Sequence, residues 1–187
     1  SSGSVNTTAG FSIIIYTGTG SSATVAHGLG VAPNVIITKK RNGTAQPNFQ
    51  NSMRGYGEYL ALSTTEASQA TGGAIISAAS STTYSCDGND VVNLDSKTYV
   101  SYCFAQKQGY SKFGNYFGNG NANGRFIYTG FKPAMIILKR TDSANNWHLA
   151  DNKRLNPYNV TSAQMYPNLA NAHAEQADLD ILSNGFK

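Results

Sequence analysis

The sequence predicts an all-β protein, a β-sandwich-like fold built from an internally duplicated strand unit with few or no helices. Three observations predict it. Short runs of β-branched and aromatic residues are bounded by polar turns, and turn residues recur about every 8 to 12 positions. The same pattern then returns after 100 residues, and self-similarity at a fixed period is the signature of a repeat architecture.

The repeat is visible as a gap-free register between two parts of the chain. The matched pairs are Tyr16 and Tyr116, Gly18 and Gly118, Gly20 and Gly120, Gly30 and Gly130, Pro33 and Pro133, Ile36 and Ile136, Ile37 and Ile137, Lys39 and Lys139, and Arg54 and Arg154. A register of this length indicates a tandem duplication. We therefore expect residues 10–55 and 110–155 to superpose over their first three strands.

The elements of each copy follow from local chemistry. A Tyr-x-Gly-x-Gly turn opens the copy, because glycine supplies positive φ, and Pro33 or Pro133 fixes φ at the start of a strand. Short apolar runs ended by basic residues predict strands, and Asn42-Gly43 is a strong hairpin signal. The predicted strands cover residues 34–38, 48–53, 59–62, 74–77, 83–85, 98–104, 134–138 and 147–152.

The duplication divides the chain into a linker over residues 1–8, a first β-unit over 9–108 and a second β-unit over 109–187. The opening Ser1-Ser2-Gly3-Ser4 is typical of a linker. Residues 182–186 resemble residues 84–88, after which the first copy continues into the strand at 98–104. The second unit is thus expected to be short by about two strands, to be completed by more of the chain or by a neighbouring chain.

Composition limits the classes of partner. Charged residues make up 13% of the chain, about half of the average, a composition common in proteins outside cells or in particles. The densest basic run, Lys39-Lys40-Arg41, has no interleaved aromatic residues, so no nucleic-acid partner is predicted. No apolar run reaches about 18 residues, and no basic-then-apolar start is present, so neither membrane insertion nor a signal peptide is expected.

No cofactor and no metal are predicted. Cys86 and Cys103 with three scattered histidines do not make a zinc set, and we expect both thiols to be reduced. The loop from Asp87 to Asp90 has oxygen ligands but lacks the spacing of a calcium loop.

Catalysis is not expected. A glycosidase needs two carboxylates across a cleft, whereas most acidic residues here flank turns, and no Gly-x-Ser-x-Gly elbow occurs. His27 has the apolar Ile127 as its counterpart at the offset of 100, which favours a structural position for the imidazole.

One group of residues is a candidate for glycan or receptor binding. Its members are Trp147, His148, Asp151, Arg154 and Tyr158. An aromatic ring beside carboxylate and guanidinium groups is the chemistry that holds sugar hydroxyls. Strand alternation would place Trp147 and Asp151 on one face and His148 on the other, and a core position for Trp147 is the alternative.

A set of short strings occurs together over nearly the whole chain. They include Asn6-Thr7-Thr8-Ala9-Gly10-Phe11-Ser12, His27-Gly28-Leu29-Gly30, Tyr102-Cys103-Phe104-Ala105, Gly109-Tyr110-Ser111-Lys112-Phe113-Gly114, Phe131-Lys132-Pro133-Ala134, Lys139-Arg140-Thr141-Asp142, Asn156-Pro157-Tyr158-Asn159 and Leu182-Ser183-Asn184-Gly185-Phe186-Lys187. In this combination the chain resembles a domain of unknown function that recurs in tailed-phage structural proteins. The resemblance implies a virion protein in a tail fibre, tail spike or adhesin, extracellular once released, and supplies no catalytic residues.

Three function classes follow. The first is a non-catalytic structural or receptor-binding segment of a phage tail fibre, which contacts other virion proteins or the host surface. By analogy with the usual symmetry of tail fibres, it would be a homotrimer. The second is a carbohydrate-binding module, which predicts a monomer with a saturable glycan site. The third, a depolymerase tailspike, requires a buried carboxylate pair that the sequence does not show.

Overall fold

A computed structural model describes residues 1–70, 75–154, 163–175 and 179–187. The prediction of an all-β, sandwich-like fold is confirmed. These described residues form fifteen strands: β1 (Ser2–Asn6), β2 (Phe11–Thr17), β3 (Ala23–Ala26), β4 (Val35–Lys40), β5 (Asn48–Asn51), β6 (Glu58–Ala61), β7 (Gln69–Ala70), β8 (Ile76–Ala79), β9 (Thr83–Cys86), β10 (Thr98–Phe104), β11 (Ile127–Tyr128), β12 (Met135–Lys139), β13 (Trp147–Asp151), β14 (Ile181–Leu182) and β15 (Gly185–Phe186). One 3₁₀ turn, Ser52–Arg54, is the helical element of the described residues.

The chain divides into two compact units. Unit 1 contains Ser1–Leu62 and Ser68–Lys107, and unit 2 contains Ser63–Ala67 and Gln108–Lys187. Among the described residues, no helix is long and apolar enough to cross a membrane. Residue 74, at the start of the strand predicted over 74–77, lies outside the described residues.

Unit 1 has two antiparallel sheets around one core. The larger sheet has the order β1-β2-β10-β4-β5-β6-β7, and the smaller has the order β3-β9-β8. Strand β10 lies between β2 and β4 because its side chains alternate strictly between buried and half-buried positions, as a central strand requires. The core takes side chains from both sheets, including Ile14, Ile36 and Cys103 from the larger and Val25, Ile76 and Tyr84 from the smaller.

A chain of buried hydroxyl groups crosses this core. The Ser101 hydroxyl lies 2.8 Å from Thr38 Oγ1 and 2.7 Å from the Tyr84 hydroxyl, and all three residues are fully buried. Each hydroxyl therefore has a partner away from water, and the chain links β4, β10 and β9.

The N-terminal segment corrects the predicted linker over residues 1–8. Ser2–Asn6 form strand β1, which pairs with β2 from Ser2 opposite Ile15 to Asn6 opposite Phe11. Gly3 permits this approach, since a Cβ there would lie 2.1 Å from the Ile13 carbonyl oxygen. Every residue of β1 is exposed, so the strand is held by its backbone rather than by burial of its side chains.

Unit 2 is built from smaller sheets. Strands β11, β15 and β14 form one sheet in that order, and β12 and β13 form a hairpin. Its core contains Ile136, Ala150, Leu179, Ile181 and Phe186.

Strand registers agree with the duplication. Val35 pairs with Asn51 in unit 1, and Met135 pairs with Asp151 in unit 2. The β4–β5 and β12–β13 hairpins therefore share one register at the offset of 100. The predicted superposition does not extend to the first strand, because residues 112–119 form no strand where β2 stands in unit 1.

The three-stranded sheets repeat as well, at an offset of 102. Ala79 pairs with Tyr84 in unit 1, and Ile181 pairs with Phe186 in unit 2. Val25 pairs with Tyr84, and Ile127 pairs with Phe186. The order β3-β9-β8 thus corresponds to β11-β15-β14, with Phe186 in the place of Tyr84.

The hydroxyl chain gives a stability prediction. Ser101→Ala leaves the buried Thr38 and Tyr84 hydroxyls without their shared partner, so we expect a loss of about 1–3 kcal/mol in the free energy of unfolding, measured in urea. Ser77→Ala, at an exposed position of β8, is the control and should change stability by less than about 0.5 kcal/mol. Equal effects of the two substitutions would contradict the role of the hydroxyl chain.

Candidate functional site

Trp147 of β13 is buried on the strand face opposite Ala150, outside the apolar cluster of unit 2. The residue is 2% exposed, and its backbone amide donates to Asn168 Oδ1 at 2.9 Å. The indole is thus placed for packing and does not offer a face on which a sugar ring could stack. Of the two alternatives drawn from the sequence, a binding surface and a packed position, the burial of Trp147 favours the packed position.

His148 and Asp151 lie on opposite faces of β13, as alternation predicts. His148 is half-buried, with Nδ1 2.8 Å from Gln164 Oε1 and its ring edge-on to Tyr166 at 5.2 Å. These contacts hold the imidazole in a small polar and aromatic cluster that the sequence analysis did not identify.

Asp151 and Arg154 are brought together by a turn. Asp151 Oδ1 accepts from the amides of Lys153 at 2.9 Å and Arg154 at 3.1 Å, and Oδ2 lies 3.4 Å from Arg154 Nε. Asn51, the counterpart of Asp151, caps its own turn in the same way by accepting from Met53 N. Turn capping therefore accounts for the position of Asp151.

Tyr158, the last of the five candidates, lies outside the described residues. The structure joins Asp151 to Arg154, separates His148 from them and buries Trp147. It does not gather these four residues into one exposed surface.

A different pair of aromatic residues is exposed on the sheet β11-β15-β14. Ile127 of β11 packs against the core, so alternation directs the next residue, Tyr128, to the outer face. Phe126 immediately precedes the strand, and its ring lies over Gly185 of β15 on the same face. Phe126 is 47% and Tyr128 64% exposed. We call this pair the aromatic face.

Gly185 makes room for the aromatic face. It pairs with Tyr128 across the sheet, and a Cβ on it would lie 2.2 Å from the Ile127 carbonyl oxygen and 2.7 Å from Cε2 of the Phe126 ring. Any larger residue would displace that ring. The glycine thus allows the Phe126 ring to lie against the backbone of β15.

Unit 1 has no such surface on its corresponding sheet. At the offset of 102, Thr24 and Ala26 occupy the places of Phe126 and Tyr128. The outer side there is a depression of about 550 Å³ lined by small groups, among them Thr24, Ser77 and Ser85. The two copies therefore share a sheet but differ in the chemistry of its outer face, which alternation within Phe126-Ile127-Tyr128 would have revealed from the sequence.

The comparison with protein families follows this geometry. The sequence profile of a domain of unknown function, DUF7483, matches residues 1–187. The chain belongs to this family. Searches of curated proteins and of solved structures found no match.

The His27 side chain of the DUF7483 domain has a structural role. The imidazole is fully buried, Nε2 lies 3.2 Å from the Ser80 carbonyl oxygen, and Nδ1 accepts from Leu29 N at 3.2 Å. A neutral ring protonated on Nε2 satisfies both contacts. Burial lowers the pKa of His27 because the imidazolium would lose its hydration.

The structural counterpart of His27 is Thr129 and not Ile127. The His27 amide donates to the Thr82 carbonyl, and the Thr129 amide donates to the Asn184 carbonyl, at the offset of 102. Thr129 Oγ1 also accepts from Phe131 N, two residues ahead, as His27 Nδ1 accepts from Leu29 N. Both copies therefore place a polar acceptor at this bend.

The two cysteines of the domain are free buried thiols. Burial raises the pKa of Cys86 to about 11 and that of Cys103 to about 12, so both remain protonated at neutral pH, and a protonated thiol is a poor nucleophile.

The loop from Asp87 to Asp90 uses its oxygens internally. Asp87 Oδ1 accepts from Asn89 N at 2.9 Å, Asn89 Oδ1 accepts from Val91 N at 2.8 Å, and Asp90 Oδ1 pairs with Lys40 Nζ at 2.5 Å. Within the described residues, no group of three or more His, Cys, Asp or Glu side chains is arranged to hold a metal ion.

His27 predicts a pH dependence of stability. Its folded pKa is below the unfolded value of about 6.5, so the unfolded state binds more protons between the two values and stability falls as pH drops through this window. His27→Thr supplies the hydroxyl acceptor seen at Thr129 without a titrating group.

The measurement is urea unfolding at about pH 7.5 and about pH 5. We expect the variant to lose less stability than the wild type between these two values. An equal loss would contradict the assignment of this acid sensitivity to His27.

Proposed function

We propose that this domain is a non-catalytic structural and receptor-binding component of a phage tail fibre or a similar virion appendage. The exposed aromatic face of unit 2 is the observation that carries the binding part of the proposal. Exposed aromatic pairs are typical of surfaces that contact a partner, because a ring gives a large contact area at little conformational cost.

The divergence of the two copies supports this. Both contain the same three-stranded sheet, so the fold does not require aromatic residues on its outer face, where unit 1 carries Thr24 and Ala26. Gly185 keeps room for the Phe126 ring. Rings retained at an exposed position without a packing requirement favour contact with another molecule.

The proposal that the domain belongs to a virion appendage rests on the amino-acid sequence. The similarity to a domain that recurs in tailed-phage structural proteins supports it, as does the low content of charged residues, 13%. Surfaces rich in Ser, Thr and Asn are common in extracellular particles.

The partner chemistry that fits the aromatic face is a carbohydrate. The less polar face of a sugar ring stacks on an aromatic ring, and the Tyr128 hydroxyl adds a hydrogen-bonding group. The same face also suits the second candidate, a carbohydrate-binding module.

Binding to an array of bacterial surface polysaccharides tests the proposal. We expect saturable binding to at least one polysaccharide, and Phe126→Ala or Tyr128→Ala should each weaken it about tenfold, as expected for removal of an anchoring aromatic residue. Met53→Ala removes a comparably exposed apolar side chain, 55%, from unit 1 and should leave affinity unchanged.

The solution mass by light scattering separates the two candidates. A homotrimer of the 19.9 kDa chain would support a fibre segment, and a monomer with a saturable glycan site would support a carbohydrate-binding module. Glycan binding that neither aromatic substitution affects would contradict the assignment of the aromatic face.

A further inference from the structure

Four asparagines of the chain are followed directly by glycine. They are Asn42, Asn119, Asn123 and Asn184. An asparagine in this position can react with its own main chain, because glycine has no side chain to hinder the approach of its amide nitrogen. The reaction also needs an asparagine side chain that is free to turn and a glycine amide that no hydrogen bond holds. The four asparagines differ in these respects.

Asn42 and Asn184 are both restrained. Asn42 Oδ1 accepts from the amide of Thr98 at 2.8 Å, which ties the side chain to the start of β10. Asn184 closes the turn between β14 and β15, where the buried Gly185 pairs with Leu182 across the hairpin. The main chain after Asn184 is therefore held in a ladder, and the reaction is disfavoured at both places.

The side chain of Asn119 is restrained at both of its polar atoms. Its Nδ2 donates to the Asn123 carbonyl at 2.9 Å, and its Oδ1 accepts from the Asn121 amide at 3.2 Å. Such local bonds from an asparagine side chain to the main chain fix a loop. Both must break before the amide group can turn toward Gly120.

Asn123 combines a fixed main chain with a free side chain. Its amide donates to Asn121 Oδ1 at 2.8 Å, and its carbonyl accepts from Asn119. Its side chain is exposed and makes no hydrogen bond with the residues that the structure describes, and the Gly124 amide makes none with them either. Of the four steps, Asn123-Gly124 is the one that meets both requirements.

We propose that Asn123 is a site of spontaneous covalent modification, at which the Gly124 amide nitrogen attacks Cγ of the Asn123 side chain. The N–Cγ bond forms and the Cγ–Nδ2 bond breaks, and Nδ2 leaves as ammonia with the proton of the Gly124 amide. A cyclic succinimide remains. Water then opens this ring. Its addition at Cγ gives aspartate, and its addition at the main-chain carbonyl carbon of residue 123 gives isoaspartate.

The modification changes the segment that leads into the aromatic face. Both products carry a carboxylate at neutral pH, and isoaspartate adds one carbon atom to the path of the main chain. Arg125 and Phe126 follow directly after Asn123-Gly124. The proposal does not depend on the partner of the aromatic face, because it follows from the bonding of this loop.

Mass spectrometry of the folded full chain tests the site. The purified chain is incubated in warm buffer at neutral pH and then digested briefly with trypsin. Cleavage after Lys112 and Arg125 gives one peptide that contains both Asn119 and Asn123, and its fragmentation locates the converted residue. We expect conversion at Asn123 to be at least about fivefold faster, because breaking two hydrogen bonds raises the barrier at Asn119.

The isolated peptide of residues 113–125 is the control for the role of the fold. Asn119 and Asn123 both precede glycine in it, and the hydrogen bonds of the folded loop are lost. The two asparagines should then convert within about twofold of each other.

Two variants test the chemistry in the folded chain. Gly124→Ala places a methyl group where no other atom lies within 4 Å, so the loop accommodates it. The methyl group hinders attack by the amide of residue 124, and we expect conversion of Asn123 to slow at least about tenfold. Gly118→Ala, which also adds a methyl group in open space, is the matched control and should leave the rate at Asn123 unchanged.

Several results would overturn the proposal. They are conversion at Asn119 as fast as at Asn123 in the folded chain, the same preference for Asn123 in the isolated peptide, and undiminished conversion in Gly124→Ala. An unchanged Asn123 in the folded chain, after an incubation that converts the isolated peptide, would overturn it as well.

Discussion

The insertion of β10 between β2 and β4 is the interaction on which unit 1 depends. This strand joins β2 on one side and β4 on the other along its whole length, except that Thr98 pairs with β2 alone. Its Ser101 hydroxyl links β4 to Tyr84 of the smaller sheet, and Tyr99 stacks on Tyr16 with ring centroids 5.3 Å apart. One strand thus completes the larger sheet and ties it to the smaller one.

Among its described residues, unit 2 has no strand in the place of β10 and none in the place of β2. The hairpin and the three-stranded sheet persist, and their core is a small apolar cluster. Tyr116 lies edge-on to Phe186, in the places of Tyr16 and Tyr84, but is 47% exposed where Tyr16 is 7% exposed. Two members of the hydroxyl chain of unit 1, Thr38 and Tyr84, are replaced in unit 2 by the apolar residues Leu138 and Phe186. The two copies have therefore diverged together in how this part of the core packs.

Much of this fold could be predicted from the sequence, because hydrophobic runs, prolines and an Asn-Gly turn specify the paired hairpins locally. Strand β1 could not, since Ser, Gly and Asn are poor strand formers and the strand is fixed by backbone pairing with β2. His27 was matched to Ile127 because a single offset was assumed. The loop after β11 is two residues shorter than that after β3, which moves the counterpart to Thr129.

The candidate binding residues were harder to predict. Trp147, Asp151 and Arg154 are close in sequence because one strand and its capped turn contain them, and proximity of this kind does not distinguish a site from a turn. The aromatic face could have been found from the alternation of Phe126-Ile127-Tyr128. The glycine beneath the Phe126 ring could not, because Gly185 lies 57 residues later than Tyr128 and spacing along the chain does not encode a long-range pairing.

Residue-resolved amide hydrogen exchange of the purified chain tests the central claim, that β10 closes the edge of β4 in unit 1 and that no strand of the described residues takes its place beside β12. The account predicts that the amides of Val35, Ile37 and Lys39 are protected by β10. It also predicts that those of Met135, Ile137 and Lys139 exchange rapidly, while Ile136 and Leu138 remain protected by β13. Uniform protection along β12, matching that of β4, would show that the side of β12 facing away from β13 is already paired, and it would contradict the account.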